Sequence, residues 1–192
     1  MGESEFIMGV KHITDLEGYD HMLFLLALSA GYGFKEWKQL LWMVTAFTIG
    51  HATTLIIAGL GAFHMSSNWV EFCIALTIFS TAVIRLTQGG KPASQGIWGY
   101  VLIVFFGLIH GVGFSSFFRM MISNDADIVM PLFLFNLGVE AGQILILLIL
   151  LLISAGILAI IRLKPSRLAI VYLSVAALLS AVMVWERLPW KD

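Results

Sequence analysis

Ile144-Leu145-Ile146-Leu147-Leu148-Ile149-Leu150-Leu151-Leu152-Ile153 is an unbroken aliphatic run, set within the longer stretch Pro131 to Ile161 whose one charged residue is Glu140. A hydrocarbon core of about 30 Å is crossed by roughly 20 apolar residues at 1.5 Å each, so this segment reads as a transmembrane helix with length to spare for tilt or projection. Pro131 suits its first turn, where the missing N–H costs nothing. The remainder of the chain has the same character. Of its 192 residues 59% are hydrophobic and 12% charged, with a mean hydropathy of +0.94. Soluble domains carry roughly 25% charged residues. The fold expected is all-α, a single polytopic transmembrane bundle over residues 1–192.

Working outward from that helix, six spans are expected at about 14–33, 37–63, 68–86, 97–118, 130–161 and 167–187. Thr14 and Glu17 form a T-x-x-E capping box for the first, which places Asp20 and His21 inside it. Gly89-Gly90-Lys91-Pro92 and Lys164-Pro165-Ser166 supply breaks after the third and fifth. Before Thr14, Phe6, Val10 and Ile13 recur at helical spacing, as in a short interfacial or re-entrant piece. No clear internal repeat is legible. The opening MGESEF lacks the basic and apolar regions of a cleavable signal, so the first hydrophobic segment is expected to act as the insertion signal.

Lys35, Lys38, Arg85, Lys91, Arg162, Lys164 and Arg167 fall on one side of six spans, against Lys11, Arg119, Arg187 and Lys191 on the other. The positive-inside tendency then sets both termini on the non-cytoplasmic side, with a bacterial inner (plasma) membrane as the expected location. A net charge of −1 offers no basic surface, which excludes nucleic acid as a partner. The lone Cys73 rules out an intrachain disulfide or a cysteine-rich metal site. Any metal must be held by His, Asp or Glu.

An ionisable group inside a bilayer costs several kcal/mol unless it faces a cavity or a partner. Asp20, His21, His51, His110 and Glu140 meet that description. Counted from the non-cytoplasmic ends at 1.5 Å per residue, they lie roughly 9 Å (Asp20, His21), 12 Å (His110), 14 Å (Glu140) and 18 Å (His51) deep. Four helices thus bring their polar groups to similar depth, which points to one shared site. Thr45, Thr48, His51 and Thr54 form a stripe on the second span; Asn136, Glu140 and Gln143 share a face of the fifth. Gly107 and Gly111 flank His110 as a small-xxx-small pair that lets a neighbouring helix approach. His12 and His64 stand near the mouth of the site. Taken singly, a transmembrane histidine is as well explained as a hydrogen-bond partner between helices, and Glu71 as an interfacial residue. The joint occurrence carries the argument.

Imidazole and carboxylate suit divalent Zn, Ni, Co or Fe, and three His plus one carboxylate can close a tetrahedral site or leave one position to water. Glu140 could instead act as a general base beside a metal-bound water, with Asn136 or Gln143 orienting an imidazole or a substrate.

Four blocks of the sequence resemble the signature blocks of the HupE/UreJ family: Gly18 to Leu26 (GYDHMLFLL) with His12 ahead of it, Phe47 to Leu55 (FTIGHATTL), Phe106 to Phe114 (FGLIHGVGF) and Phe135 to Gln143 (FNLGVEAGQ). The resemblance implies a permease for nickel or cobalt, with a metal site drawn from His12, Asp20, His21, His51, His110 and Glu140 and supported by Thr48, Asn136 and Gln143. The permeases carry His-Pro near the first helix, where this chain has His12-Ile13 and a longer gap to Asp20-His21. Two functions follow as expectations. One is a divalent-metal permease embedded in the lipid bilayer. The other is an intramembrane zinc-dependent hydrolase acting on a lipid or lipid-linked substrate, in which Glu140 and Asp20 would be catalytic.

Overall fold

The computed structural model of the protein describes residues 4–16, 18–59, 65–92, 96–121 and 129–190. Among these, the regular structure is helical: α1 (Glu5–Thr14), α2 (Asp20–Ser29), α3 (Trp37–Gly59) entered through a 3-10 turn at Phe34–Glu36, α4 (Ser67–Thr87), α5 (Ile97–Met121), α6 (Val129–Ile161) and α7 (Pro165–Glu186). Five of them, α3 to α7, are long and apolar enough to cross a membrane. The chain is a helical membrane bundle, as its hydropathy requires.

The first expected span is built differently. Thr14 does not cap a helix running to residue 33; it ends α1, where its Oγ1 donates to the Val10 carbonyl at 2.9 Å. Glu17, the other half of the expected capping box, lies outside the described residues. α2 begins only at Asp20 and stops at Ser29, so it spans about 15 Å, half of a hydrocarbon core. Its end is set by Gly31 at φ +79°, where a Cβ would also strike the Gly90 carbonyl. That conformation favours glycine and terminates helices. The expected amphipathic piece before Thr14 is α1, but it docks inside the bundle with Ile13 fully buried.

Two helix pairs approach closely through glycine. On α3 and α5, a Cβ at Gly50 would overlap the Val104 carbonyl, one at Gly107 the Phe47 carbonyl, and one at Gly111 the His51 carbonyl. The same arrangement recurs between α1 and α6, where Gly9 faces the Phe135 carbonyl and Gly138 the Phe6 carbonyl. In both pairs a Phe-x-x-Gly segment (Phe6 to Gly9, Phe47 to Gly50) lies in the groove beside a glycine of the neighbouring helix. The backbone contact replaces side-chain volume, as in small-residue packing within membranes. This repeated crossing is invisible to a hydropathy scan because the segments share only a few residues.

α4 and α7 form the third pair, and α2 inserts between them and α6, packing Ala27 and Ala30 against Ala82, Ala169, Leu173 and Ala176. Arg85 fixes the far end of α2. Its buried guanidinium donates to the Leu28 carbonyl at 2.9 Å and to the Ala30 carbonyl, and stands over the Tyr32 ring. The last carbonyls of a helix lack partners within it, and a cation there also meets the negative end of the dipole. Arg85, which sequence reading assigns to a span end, is in fact a buried clamp. At the opposite end, the first turn of α2 carries His21, which is buried.

Candidate metal site

Four helices deliver one histidine each. α1 carries His12, α2 His21, α3 His51 and α5 His110, and the glycine crossings set how closely those helices come together. The ring centres of His12 and His21 are 4.8 Å apart, those of His21 and His110 5.4 Å, and those of His12 and His51 5.9 Å. His51 is 0%, His110 2% and His21 8% exposed, so water at the protein surface does not satisfy their polar atoms.

In three of the rings Nδ1 has an assigned neighbour. His110 donates from Nδ1 to the Phe106 carbonyl at 2.8 Å, one turn back on its own helix. His51 Nδ1 lies 3.4 Å from Asn136 Oδ1 on α6. His21 Nδ1 lies 3.0 Å from Asp20 Oδ1, close enough for an ion pair but without the geometry of a hydrogen bond, while Asp20 Oδ1 accepts the His21 backbone N–H at 2.8 Å. A hydrogen on Nδ1 leaves Nε2 with a free lone pair. The Nε2 atoms of His12, His21, His51 and His110 are all buried without a hydrogen-bond partner among the described residues. Nδ1 of His21 joins them, and five orphaned imidazole nitrogens in one cluster are a strong exception to the rule that buried polar atoms are paired. Carboxylate, amide or backbone partners on Nδ1 are also the usual outer shell of metal-binding histidines.

Phenylalanines enclose the rings. Phe114 lies 4.2 Å from His12 and Phe47 5.0 Å from His110, centre to centre, while Phe24 and Phe135 pack against His110 and His51. Phe47, four positions before His51 on α3, also stacks on that ring at 6.3 Å. On one side a cavity of about 650 Å³ lined by Met8, Lys11, Asp15 and Phe114, among others, reaches His12.

The two expected carboxylates part company. Asp20 stays beside the imidazoles, and its Oδ2 lies 3.6 Å from Arg187, whose Nε is 3.8 Å from Glu71. Arg187 and Glu71, read as terminal and interfacial residues, therefore join α2, α4 and α7 at the site's edge. Glu140 is not drawn into the imidazole group. Its Oε1 accepts a 2.5 Å hydrogen bond from Thr45, and Thr48 donates to Gln143 Oε1 at 2.9 Å. Thr54 turns to the Leu108 carbonyl at 2.7 Å, tying α3 to α5 instead of facing the site. His64 lies outside the described residues. Among the described residues, no three His, Cys, Asp or Glu side chains are arranged to hold a metal ion as they stand.

Neither the curated proteins nor the solved structures contain a match to this chain. The family model described as HupE / UreJ protein matches residues 3–187, from the start of α1 through the arginine beyond α7. The helices that carry the four histidines all fall within that match, and the chain belongs to the HupE/UreJ family.

Proposed function

We propose that the protein is a membrane permease for a divalent transition-metal ion, nickel or cobalt before zinc, which it receives on His12, His21, His51 and His110. The observation that carries this reading is the set of four buried Nε2 atoms without partners, on four different helices. Family membership supports metal transport in general, since HupE/UreJ proteins are associated with nickel and cobalt uptake. Ring spacing is also favourable. Imidazoles that share one tetrahedral ion through nitrogens at about 2.0–2.1 Å have ring centres about 5 Å apart. The 4.8, 5.4 and 5.9 Å between three of the six ring pairs lie near that value, which supports the reading.

Asp20 acts in this reading through His21, holding Nδ1 so that Nε2 meets the ion. The ion is cargo. It arrives from the non-cytoplasmic side, where the bias of Lys and Arg expected from the sequence would set the site end of the bundle. The seam between α3 and α6 continues the polar path with Thr48, Gln143, Thr45 and Glu140, which favours passage over a closed site.

The test is uptake of Ni²⁺ or Co²⁺ into proteoliposomes by the wild type, His51→Ala and His110→Ala. Uptake by the wild type and its loss in both variants is expected. Equal uptake by all three overturns the reading. Stoichiometric zinc that resists chelation, without uptake of any ion, replaces it with the intramembrane zinc hydrolase.

A further inference from the structure

Three polar pairs join α3 and α6: His51 faces Asn136, Thr48 donates to Gln143 and Thr45 donates to Glu140. The last two cross, because Glu140 precedes Gln143 on α6. Thr45 precedes His51 by six positions, about 9 Å along the helix axis. The Glu140 carboxylate is thus drawn toward Thr45, although Glu140 follows Asn136 by only one turn of α6.

A carboxylate within a membrane-spanning helix is costly unless a cation or a proton meets it. Among the described residues Glu140 has the neutral Thr45 hydroxyl for a partner, and the arginines of the ion pairs lie elsewhere. The neighbouring pair, Thr48 and Gln143, also contributes oxygen. Gln143 and Thr48 are buried, so these oxygens look into the seam and away from lipid. Such a set differs chemically from the imidazole group. One carboxylate with hydroxyl and amide oxygens is a harder, weaker donor set for a late first-row divalent ion than several imidazoles.

We infer that Glu140, with Thr45 and the Thr48–Gln143 pair, forms a second, oxygen-donor station for the transported divalent cation, distinct from the imidazole group and set beyond His51 along α3. The inference rests on the permease reading. A weak station beside a strong one lets the ion leave the imidazoles without first entering lipid. Glu140 is then needed for passage and dispensable for capture.

The experiment is Ni²⁺ titration by calorimetry in lipid nanodiscs, paired with Ni²⁺ uptake into proteoliposomes, for the wild type, Glu140→Gln and Glu140→Asp. Glutamine keeps an oxygen for the Thr45 hydroxyl but removes the charge. The wild type is expected to show a tight and a weak binding step. Glu140→Gln should keep the tight step, lose the weak one and take up Ni²⁺ about 10- to 100-fold more slowly. Glu140→Asp, which keeps the charge, should retain the weak step. Unchanged uptake and binding in Glu140→Gln overturns the inference. So does loss of the tight step in that variant, because Glu140 would then belong to the imidazole group. Failure of the permease reading is a separate result: no wild-type uptake, with the two binding steps still read directly by calorimetry.

Discussion

Asn136 faces His51 with its amide oxygen 3.4 Å from Nδ1, while its amide nitrogen donates to the Leu132 carbonyl at 2.8 Å. The second bond fixes which way the amide points. Its oxygen is left to accept from Nδ1–H, and the free lone pair of His51 falls on the buried Nε2. One asparagine on α6 thus selects the tautomer of a histidine on α3.

Removing that acceptor should weaken ion binding without unfolding the bundle. Asn136→Leu is expected to lower Ni²⁺ affinity about 10- to 100-fold, the usual effect of losing an outer-shell partner. Asn136→Asp, which still accepts from Nδ1–H, should bind at least as tightly as the wild type. Competition against a chelator measures both. Wild-type affinity in Asn136→Leu would show that the contact orients nothing.

The glycine crossings predict a contrast between two positions in the spans. At Gly107 a Cβ meets the Phe47 carbonyl, so Gly107→Val must push α5 off α3 and spread His51 from His110. Overpacking of this kind costs about 1–3 kcal/mol or more, and the variant should melt earlier in detergent and bind Ni²⁺ poorly. Gly156 has open space around its Cβ, so Gly156→Ala should melt no earlier than the wild type. Equal melting of the two variants would remove the close approach from the explanation.

Arg85 should matter for stability and not for selectivity. Arg85→Ala strips the Leu28 and Ala30 carbonyls of their donor, and each buried unpaired group costs about 1–3 kcal/mol. A clear fall in thermal midpoint is expected, with the order of preference among Ni²⁺, Co²⁺ and Zn²⁺ unchanged. Arg85→Lys should recover part of the midpoint, since an ammonium has donors but no fork to reach both carbonyls. An unaltered midpoint in Arg85→Ala would contradict the clamp.

The long helices α3 to α7 were legible because apolar length alone forces them, and the histidines because a polar group inside such a run needs a reason. The break between α1 and α2 was not. Thr14 and Glu17 read as the start of one helix, and only the backbone shows that α1 ends at Thr14, that α2 begins at Asp20 and that α2 is over by Gly31. Arg85 looked like a span-end charge because sequence gives no hint that the carbonyls of α2 lie beside it. Glu140 sits at nearly the depth of the histidines when counted along its own helix, yet its side chain crosses to Thr45. Depth along an axis does not encode the direction of a side chain, and that separation needed coordinates.

Arg187 places a positive charge beside Asp20, 3.6 Å from its Oδ2. It repels an arriving cation and draws on the carboxylate that holds His21. Arg187→Gln should therefore tighten Ni²⁺ binding by about threefold at low ionic strength, with the gain shrinking in higher salt as screening increases. Titrations at two salt concentrations check this. Weaker binding in the variant would mean that Arg187 positions Asp20 for the ion.

X-ray absorption at the nickel edge, on Ni²⁺-loaded protein in nanodiscs, addresses the four histidines most directly. At least three imidazoles should appear in the first coordination sphere, falling by one in His51→Ala and by one in His110→Ala. A bound ion surrounded by oxygen alone, or an imidazole count untouched by either substitution, would contradict a metal site built from His12, His21, His51 and His110.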